Sequence, residues 1–313
     1  MSPPFVVRMV CASHWQRAGS AVEALLQLRP RLLQQALANG ARSALLSSHD
    51  WLVQWHEGDP AAVTAQRDMV QAELGLDAPR LLHGSHGRGT LMEPVQLASL
   101  QAADQAADLA RRLQFLERQH EHGWDAEPVE VWQALCAPCQ LAGWKPALVG
   151  RREVVAVASR DNDAVELLRS LASRSGNRIA YQRYAGVDVQ RRDLGAAYMD
   201  VEGGDSAVTR VQALSRRALA SGVELLGLRQ LDRLIVLLDP QTLGEPALLD
   251  EIARLLERLP LRPLVHLVSP CAATRAWGVQ ALRGTSGLPV LPLAAPHSGQ
   301  GAVQAVADLL VAH

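Results

Sequence analysis

The segment after the first strand of the C-terminal half has the position, but not the residues, of a phosphate-binding loop. It runs through Ser159, Arg160, Asp161, Asn162 and Asp163, directly before a predicted helix. A phosphate loop uses glycines for close backbone approach and a lysine that contacts the phosphates. This segment has neither, and its carboxylates suit a helix start while repelling an anionic ligand. These residues predict no nucleotide hydrolysis.

The chain also has no lysine elsewhere that could supply a phosphate-binding ammonium group at this segment. Lys145 is the only lysine of the chain, and it lies before the strand that precedes this segment rather than after it. Any mechanism that requires a catalytic lysine must therefore use Lys145 or do without one.

Cys136 and Cys139 form a C-x-x-C pair, which is a pattern of zinc sites and of redox sites. A zinc site needs four ligands, and neither a second pair nor a histidine at ligand spacing lies nearby. A redox motif of this type would follow a strand, whereas this stretch is predicted to be helical. A structural role is favoured, and a redox or metal role stays open. We predict no catalytic residue, no metal and no cofactor.

Composition narrows the classes of function. The chain has 313 residues, of which 48% are hydrophobic and 20% charged, with a net charge of -1. The hydrophobic content is enough for packed cores in two domains. The balanced charge argues against a protein that binds nucleic acid by bulk electrostatics. No signal peptide and no apolar run of membrane-spanning length is present, so a cytoplasmic protein without a membrane span is expected.

Residues 1–95 are predicted to form a small α+β domain. Strand, helix, two strands in a hairpin, helix and strand follow one another, which is the ferredoxin-like order β-α-β-β-α-β. Ser20 is the expected cap of the first helix and Asn39-Gly40 its end. Asp59 and Pro60 are expected to begin the second helix.

Residues 96–148 are predicted to be a helical connector. One amphipathic helix is expected from Gln96 to His122 and a second from about Pro128 to Ala142. Trp124, Trp132 and Trp144 are possible interface anchors, because large aromatic side chains often dominate protein interfaces.

Residues 149–313 alternate strands and helices, which predicts a three-layer α/β domain. The second and third strands, Arg178–Tyr184 and Leu194–Asp200, follow one another without a helix between them and are expected to form one antiparallel pair. A helix is expected from Ala207 to Ala220.

The hairpin and the helix that follows it carry the residues Trp51 to Val63, which resemble the central stretch of the BLUF family of flavin-binding blue-light sensors. By this resemblance Gln54 is the glutamine whose amide contacts flavin, with Asn39, Arg42 and Trp55 at neighbouring pocket positions. The family also has a tyrosine on the first strand, and residues 1–148 contain no Tyr. The resemblance therefore implies a degenerate BLUF-like domain without normal photochemistry.

The order of elements in the C-terminal half resembles a Ras-like small GTPase. Asp200, Gly203 and Gly204 look like the D-x-x-G pattern of switch II in that family. The guanine-reading aspartate would fall near Ala272, where it is absent. With the phosphate loop also missing, the resemblance implies a pseudo-GTPase.

Together these observations predict a non-catalytic adaptor for signalling or assembly that acts through protein–protein contacts, rather than an enzyme. A protein partner is expected, by analogy from a motility, polarity or pilus system, and a homodimer is possible in principle. The alternative is a small-molecule sensor that retains flavin or nucleotide binding in one domain.

Overall fold

The computed structural model describes residues 5–101, 106–135, 152–158, 163–185, 194–202, 208–214, 219, 228, 231–239, 246–259, 262–286, 289–294 and 299–311. The chain divides into two compact units, residues 1–148 with 182–193 and residues 149–181 with 194–313. Cys136 and Cys139 lie outside the described residues.

The first unit is a five-stranded sheet with helices. Its elements are β1 (Phe5–His14), α1 (Ala21–Asn39), β2 (Arg42–Ser48), β3 (Trp51–Gly58), α2 (Pro60–Leu74), β4 (Arg80–Arg88), β5 (Val95–Gln101), α3 (Ala106–Glu121) and α4 (Pro128–Leu135). The strand order is β5-β2-β3-β1-β4, in which β1 is antiparallel to β3 and β4, β2 is antiparallel to β3, and β2 is parallel to β5. The predicted ferredoxin-like order is confirmed.

Local sequence signals set the helix ends. The side chain of Ser20 accepts a hydrogen bond from the backbone N–H of Glu23, and Gly40 ends α1 with a positive φ of 74°. The side chain of Asp59 accepts from the N–H of Ala61, and Pro60 opens α2. These predicted caps are confirmed.

The layer between α1, α2 and the sheet is filled mainly by aliphatic side chains, and we call it the α1–α2 layer. Its core residues include Leu25, Leu28, Leu32, Leu45, Leu52, Val70, Leu74, Val95 and Leu97. Alternation along β3 therefore places Leu52, Gln54 and His56 on the side of this layer, and Trp55 and Glu57 on the opposite side.

The prediction of a helix beginning at Gln96 is wrong for residues 96–101. Val95–Gln101 is a strand that pairs in parallel with β2, and the helix begins only at Ala106. The physical reason is that Val95 and Leu97 alternate with Gln96, so that the two aliphatic side chains enter the core of the first unit. The start of the predicted connector thus belongs to the sheet.

On the other side of the first sheet, α4 packs through Trp132. Trp132 is buried, and its ring centroid lies 5.8 Å from that of Trp55 with the ring planes tilted by 55°. The buried Arg112 of α3 donates a 2.9 Å hydrogen bond to the carbonyl of Leu135, at the end of α4. The prediction that Trp132 anchors an external partner is therefore wrong, because its surface is used within the first unit.

The second unit is an α/β domain. Its elements are β6 (Arg152–Ala158), α5 (Asp163–Ser175), β7 (Ala180–Ala185), β8 (Leu194–Glu202), β9 (Val208–Leu214), β10 (Leu231–Leu237), α6 (Pro246–Arg258), β11 (Leu264–Ser269), α7 (Ala272–Ser286), β12 (Val290–Ala294) and α8 (Gly299–Val311). Of β7, residues 182–185 fall in the segment that groups with the first unit. The strand order is β12-β11-β10-β6-β9-β8-β7. From β12 to β9 neighbouring strands are parallel, and β8 is antiparallel to β9.

Helices cover both faces of this second sheet, as the predicted three layers require. Residues of α5 and α8 pack with Ile235 and Val268 in one core cluster. Gly278 of α7 lies against Leu238 and Leu267, and Leu267 faces the opposite way from its neighbour Val268. The predicted α/β class of this half is confirmed.

The helix predicted from Ala207 to Ala220 is wrong, because Val208–Leu214 is a strand. It pairs in parallel with β6 and antiparallel with β8. Val211 and Ala213 point into the core cluster of this unit, which gives the alternation of a strand.

Candidate functional site

Four polar or ionisable side chains lie together on the first sheet, under the α1–α2 layer. Cys11 of β1 is the register partner of Gln54 of β3, and Ser43 of β2 is the register partner of His56 of β3. All four residues are buried. We call Cys11, Ser43, Gln54 and His56 the buried polar cluster.

A chain of hydrogen bonds runs through this cluster. His56 Nε2 lies 3.0 Å from Gln54 Oε1, and His56 Nδ1 lies 2.7 Å from the hydroxyl oxygen of Ser43. An amide oxygen only accepts, so His56 Nε2 carries the hydrogen and Ser43 donates to Nδ1. The amide nitrogen of Gln54 is buried and has no hydrogen-bond partner among the residues that the structure describes.

The imidazole of His56 is held neutral. Its pKa is lowered from 6.5 to about 3, mainly by burial and to a smaller extent by the positive charge of Arg67 on α2. A neutral imidazole with one donor and one acceptor nitrogen is what the hydrogen bonds to Gln54 and Ser43 require. The oxygen of Gln54 is therefore committed to His56 at neutral pH.

Cys11 has the environment of a structural thiol. Burial raises its pKa to about 12, against a smaller opposing effect of Arg67. The thiol is thus protonated at neutral pH and is a poor nucleophile. Cys11 stands across from Gln54, at the place where the BLUF resemblance implies a tyrosine.

The structure does not bring the four predicted pocket positions together. Gln54 alone lies on the side of the α1–α2 layer. Asn39 is at the exposed end of α1, where its side-chain oxygen accepts from the N–H of Ala41 at 3.0 Å. Arg42 donates to the carbonyl of Leu91 and stands across from Glu57, on the far side with Trp55. The structure therefore does not group these residues with Gln54: strand alternation separates Arg42 and Trp55 from it, and Asn39 lies at the exposed end of α1.

Trp55 and Glu57 have a structural role instead. The indole N–H of Trp55 donates to Glu57 Oε1 at 3.1 Å, and Glu57 Oε2 accepts from the backbone N–H groups of Thr90 and Leu91 at 2.6 and 2.8 Å. The buried carboxylate of Glu57 thus fixes the turn between β4 and β5.

The residues of the α1–α2 layer do not fit a flavin in the way that the BLUF resemblance implies. Leu25, Leu32 and Val70 pack into the layer, and each is almost fully buried. The oxygen of Gln54 is already bound by His56, and a protonated thiol stands in place of the expected phenol. No chemical step through flavin is derived from this site.

Acidification is expected to destabilise the first unit through His56. Its pKa is about 3 in the fold and 6.5 as the ordinary value, so the unfolded chain takes up the proton first. Stability is retained above pH about 6.5 and lost as the pH falls toward about 3, by up to roughly 1.4 kcal/mol per pH unit. His56→Gln, which removes the titration, is expected to flatten this loss in urea unfolding between pH 5 and pH 7.5.

The control for this prediction is the exposed His86, since His86→Gln is expected to keep the wild-type slope. Burial also lowers the pKa of His83, to about 4, so a smaller slope remains in His56→Gln. An unchanged slope in His56→Gln would contradict the role of His56.

In the second unit, the predicted phosphate-loop positions are only partly described. Ser159, Arg160, Asp161 and Asn162 lie outside the described residues. Asp163 is the exposed first residue of α5, and Glu166 follows in the same turn. Two carboxylates at the positive end of the helix dipole stabilise the helix and disfavour an anionic ligand there.

Asp200 lies at the edge of the second sheet opposite to this loop. It stands across from Arg210, and Arg210 is in register with Glu153, near the start of β6. The loop follows Ala158, five residues further along β6 and therefore about 16 Å away. The switch II interpretation of Asp200 is wrong, because that role requires the edge of the phosphate loop. Gly203 and Gly204 lie outside the described residues.

Asp200 instead forms a buried ion pair. Arg210 Nε lies 2.8 Å from Asp200 Oδ1 and Nη2 lies 3.0 Å from Oδ2, with the two side chains 5% and 6% exposed. The guanidinium also lies 4.3 Å from the ring centroid of Tyr198. This arrangement stabilises the β8–β9 pair.

Of the other predicted interface residues, Trp124 is half-buried and Trp144 lies outside the described residues. Within the described part of the chain, no three His, Cys, Asp or Glu side chains are grouped so as to hold a metal ion. None of the helices described combines the length and apolar character that a bilayer crossing requires.

Sequence reasoning missed His56 and Ser43 as partners of Gln54. The signal was present in the alternation of Gln54 and His56, two residues apart on one strand, and in the hairpin register, which pairs Ser43 with His56. The register depends on the turn at Ser48–Asp50, which includes His49 with a positive φ of 53°.

Comparison with solved structures finds similarity to BLUF proteins. The BLUF domain of BlrP1 is 15% identical with a TM-score of 0.26, over 30% of this chain and 64% of that chain. BlrB, a BLUF protein in its dark state, is 18% identical with a TM-score of 0.26, over 39% of this chain and 88% of that chain. A bacterial light-regulated adenylyl cyclase is 9% identical with a TM-score of 0.29, over 66% and 78%.

Because every one of these TM-scores is below 0.5, the comparison does not assign a family by itself. No family model matches the chain, and no curated protein matches it. The chain spans just under two thirds of the BlrP1 BLUF structure.

Proposed function

We propose that this chain is a non-catalytic signalling or assembly adaptor that acts by protein–protein contacts. Its first domain is BLUF-like without normal photochemistry, and its second is a Ras-like pseudo-GTPase. By analogy the partner belongs to a motility, polarity or pilus system, and the protein acts in the cytoplasm.

The hydrogen bond from His56 to Gln54 is the observation that carries the proposal for the first domain. A switching amide must be able to exchange partners with a bound chromophore. Here the oxygen of the amide is held by a neutral imidazole, which is in turn held by Ser43. The aliphatic packing of the α1–α2 layer adds to this, since it uses the volume that a ring system would need.

The strand order supports a Ras-like second domain. The parallel strands β9, β6, β10, β11 and β12 are followed on one side by β8, which is antiparallel to β9, and then by β7. β7 and β8, the two strands that the sequence predicts as a pair, are neighbours in the sheet, and β9 is an additional strand beside them.

Loss of nucleotide chemistry is supported by the residues at the start of α5. Asp163 and Glu166 place negative charge where a phosphate would require backbone N–H groups, and Glu166 is paired with Arg169 at 2.6 Å. The chain has one lysine, and it precedes β6.

Two measurements on the purified full chain test these absences. We expect no absorbance at about 450 nm, where a bound flavin absorbs. We also expect no heat of binding in calorimetry with GDP, GTP or ATP in the presence of Mg²⁺. Absorbance that follows the protein through purification contradicts the first part, and micromolar nucleotide binding contradicts the second.

Protein capture tests the adaptor role itself. The full chain is used as bait in its native host, with an Asp200→Ala chain as a control for partners that bind only unfolded protein. A specific partner that binds the wild-type chain at least as strongly as the control supports the proposal, whereas a protein enriched on the control is a partner of unfolded chain. Failure to capture any specific partner contradicts it.

One observation favours the alternative of a small-molecule sensor. Within the described ranges, the amide nitrogen of Gln54 and the amide oxygen of Gln66 are buried without hydrogen-bond partners. Unpaired buried polar groups are rare in folded proteins and point to a further polar group. The absorbance and calorimetry measurements distinguish this alternative from the adaptor.

A further inference from the structure

A serine, a histidine and an arginine meet on the outer strands of the first sheet. His83 and Ser85 lie on one face of β4, and Arg8 of β1 is the register partner of Ser85. Val10 is in register with both His83 and Trp55, so the three residues lie on the α4 side of the sheet. Arg8 and His83 are buried and Ser85 is half-buried. We call Arg8, His83 and Ser85 the Ser85 cluster.

Two hydrogen bonds converge on the hydroxyl oxygen of Ser85. Arg8 Nε donates to Ser85 Oγ at 3.0 Å, and His83 Nε2 lies 2.7 Å from the same oxygen. A guanidinium only donates, so Arg8 uses a lone pair of the hydroxyl and leaves its hydrogen available. We assign that hydrogen to the bond with His83 Nε2, which places the hydrogen of the neutral imidazole on Nδ1.

The guanidinium of Arg8 is held in place from two sides. Its Nη1 and Nη2 donate to Glu127 Oε2 and Oε1 at 2.5 and 3.4 Å. A β-carbon at Gly87 would lie 2.6 Å from Arg8 Cζ, so the glycine leaves the room that the guanidinium occupies along β4. The side chain of Glu127 is 56% exposed, and solvent therefore screens its charge more than that of the buried Arg8. The oxygen of Ser85 thus lies beside a positive charge.

His83 is in the form that accepts a proton. Its pKa is lowered to about 4, first by burial and then by the positive charges of Arg8 and His120, against the opposing effects of Glu127 and Asp125. The imidazole is therefore neutral at pH 7. The same low pKa makes it a weak base, so it can assist attack only on esters with a good leaving group.

The Ser85 cluster has the parts of an activated nucleophile. A hydroxyl hydrogen-bonded to a neutral imidazole can lose its proton as it attacks, and a cation beside the oxygen stabilises the negative charge that develops there. We propose that Ser85 is a nucleophile that takes up acyl groups from activated esters, with His83 as its base and Arg8 as the neighbouring cation. The proposal does not depend on the adaptor function, because one acyl group per chain is a covalent modification rather than turnover.

The acyl transfer needs no group other than the ester. Ser85 Oγ attacks the carbonyl carbon, and the hydroxyl proton passes to His83 Nε2. The bond from the carbonyl carbon to the leaving oxygen breaks, and that oxygen departs with the electron pair. His83 then releases the proton to solvent. Hydrolysis of the new serine ester, which has a poor leaving group, would require a stronger base, so the acyl-serine accumulates.

Acetylation of the full chain by p-nitrophenyl acetate tests the proposal. Peptide mass spectrometry follows the acetyl group on Ser85 over time, and the exposed Ser175, which donates to the carbonyl of Leu171 at 3.0 Å, is the serine without a base. We expect Ser85 to be acetylated and Ser175 not. Because His83 is already neutral, the rate at Ser85 should be constant between about pH 6 and 8, whereas an unassisted hydroxyl would react about tenfold faster per pH unit.

Two variants separate the base from the cation. His83→Gln keeps a hydrogen-bonding side chain but removes the base, and it should slow acetylation about 100-fold, at the low end for general bases because His83 is a weak one. Gly87→Ala displaces the guanidinium of Arg8 and should also slow the reaction. Near-ultraviolet circular dichroism checks that each variant is folded.

The wild type alone can overturn the proposal. Absence of an acetyl group on Ser85, a rate no higher than at Ser175, or a tenfold rise per pH unit would each do so. An unchanged rate in folded His83→Gln would overturn the role of His83 as the base.

Discussion

Replacing Asp200 by alanine is expected to destabilise the second unit by about 3–5 kcal/mol. The substitution removes the Asp200 carboxylate, to which the buried guanidinium of Arg210 donates two hydrogen bonds, while Arg210 keeps its contact with the ring of Tyr198. Hydrogen exchange of β8 and β9 peptides during urea titration measures the loss in this unit alone. That choice matters because a chain of two units does not unfold in one transition.

Two variants control this experiment. Glu166→Ala breaks an exposed ion pair with Arg169 and should change stability far less than Asp200→Ala does, because solvent screens exposed charges. A double variant with Asp200→Leu and Arg210→Met should recover most of the loss, because an apolar pair of similar volume leaves no charge unpaired. If Asp200→Ala matched Glu166→Ala, the buried pair would not stabilise the β8–β9 pair as its geometry indicates.

Asp200 also illustrates how a short motif misleads. D-x-x-G fits a turn after any strand, and the motif alone does not say to which edge of the sheet the strand leads. The direction depends on Val208–Leu214, whose strand character comes from pairing with β6 and β8, that is, from contacts distant in sequence. Sequence propensity alone does not encode that pairing.

The helix ends of the first unit could be predicted from the sequence because they depend on residues that are close together along the chain. Ser20, Gly40, Asp59 and Pro60 fix helix ends through atoms within a few residues, and their predicted roles are confirmed. The candidate site was harder to predict from the sequence. The separation of Gln54 from Trp55 follows from strand alternation, but the partnership of His56 with Ser43 depends on hairpin register, which a difference of one residue would reverse.

Trp55→Ala is expected to lower the stability of the first unit by about 3–5 kcal/mol. The side chain is fully buried, it packs on Trp132 of α4, and its indole N–H donates to Glu57. The alanine leaves a cavity under α4 and removes one donor from a buried carboxylate. Urea unfolding followed by near-ultraviolet circular dichroism, which reports on the paired tryptophans, measures the loss.

Two further substitutions serve as controls: one separates the packing of Trp55 from its hydrogen bond, and the other removes a different indole. Trp55→Phe keeps most of the volume but not the indole donor, so a smaller loss of about 1–2 kcal/mol is expected. Trp124→Ala removes a half-buried indole and should cost less than Trp55→Ala. Equal losses from Trp55→Ala and Trp124→Ala would mean that the Trp55–Trp132 contact does not hold α4. A larger loss of stability from Trp55→Ala than from Trp55→Phe would instead show that Trp55, one of the predicted flavin-pocket residues, serves to pack α4 on the sheet.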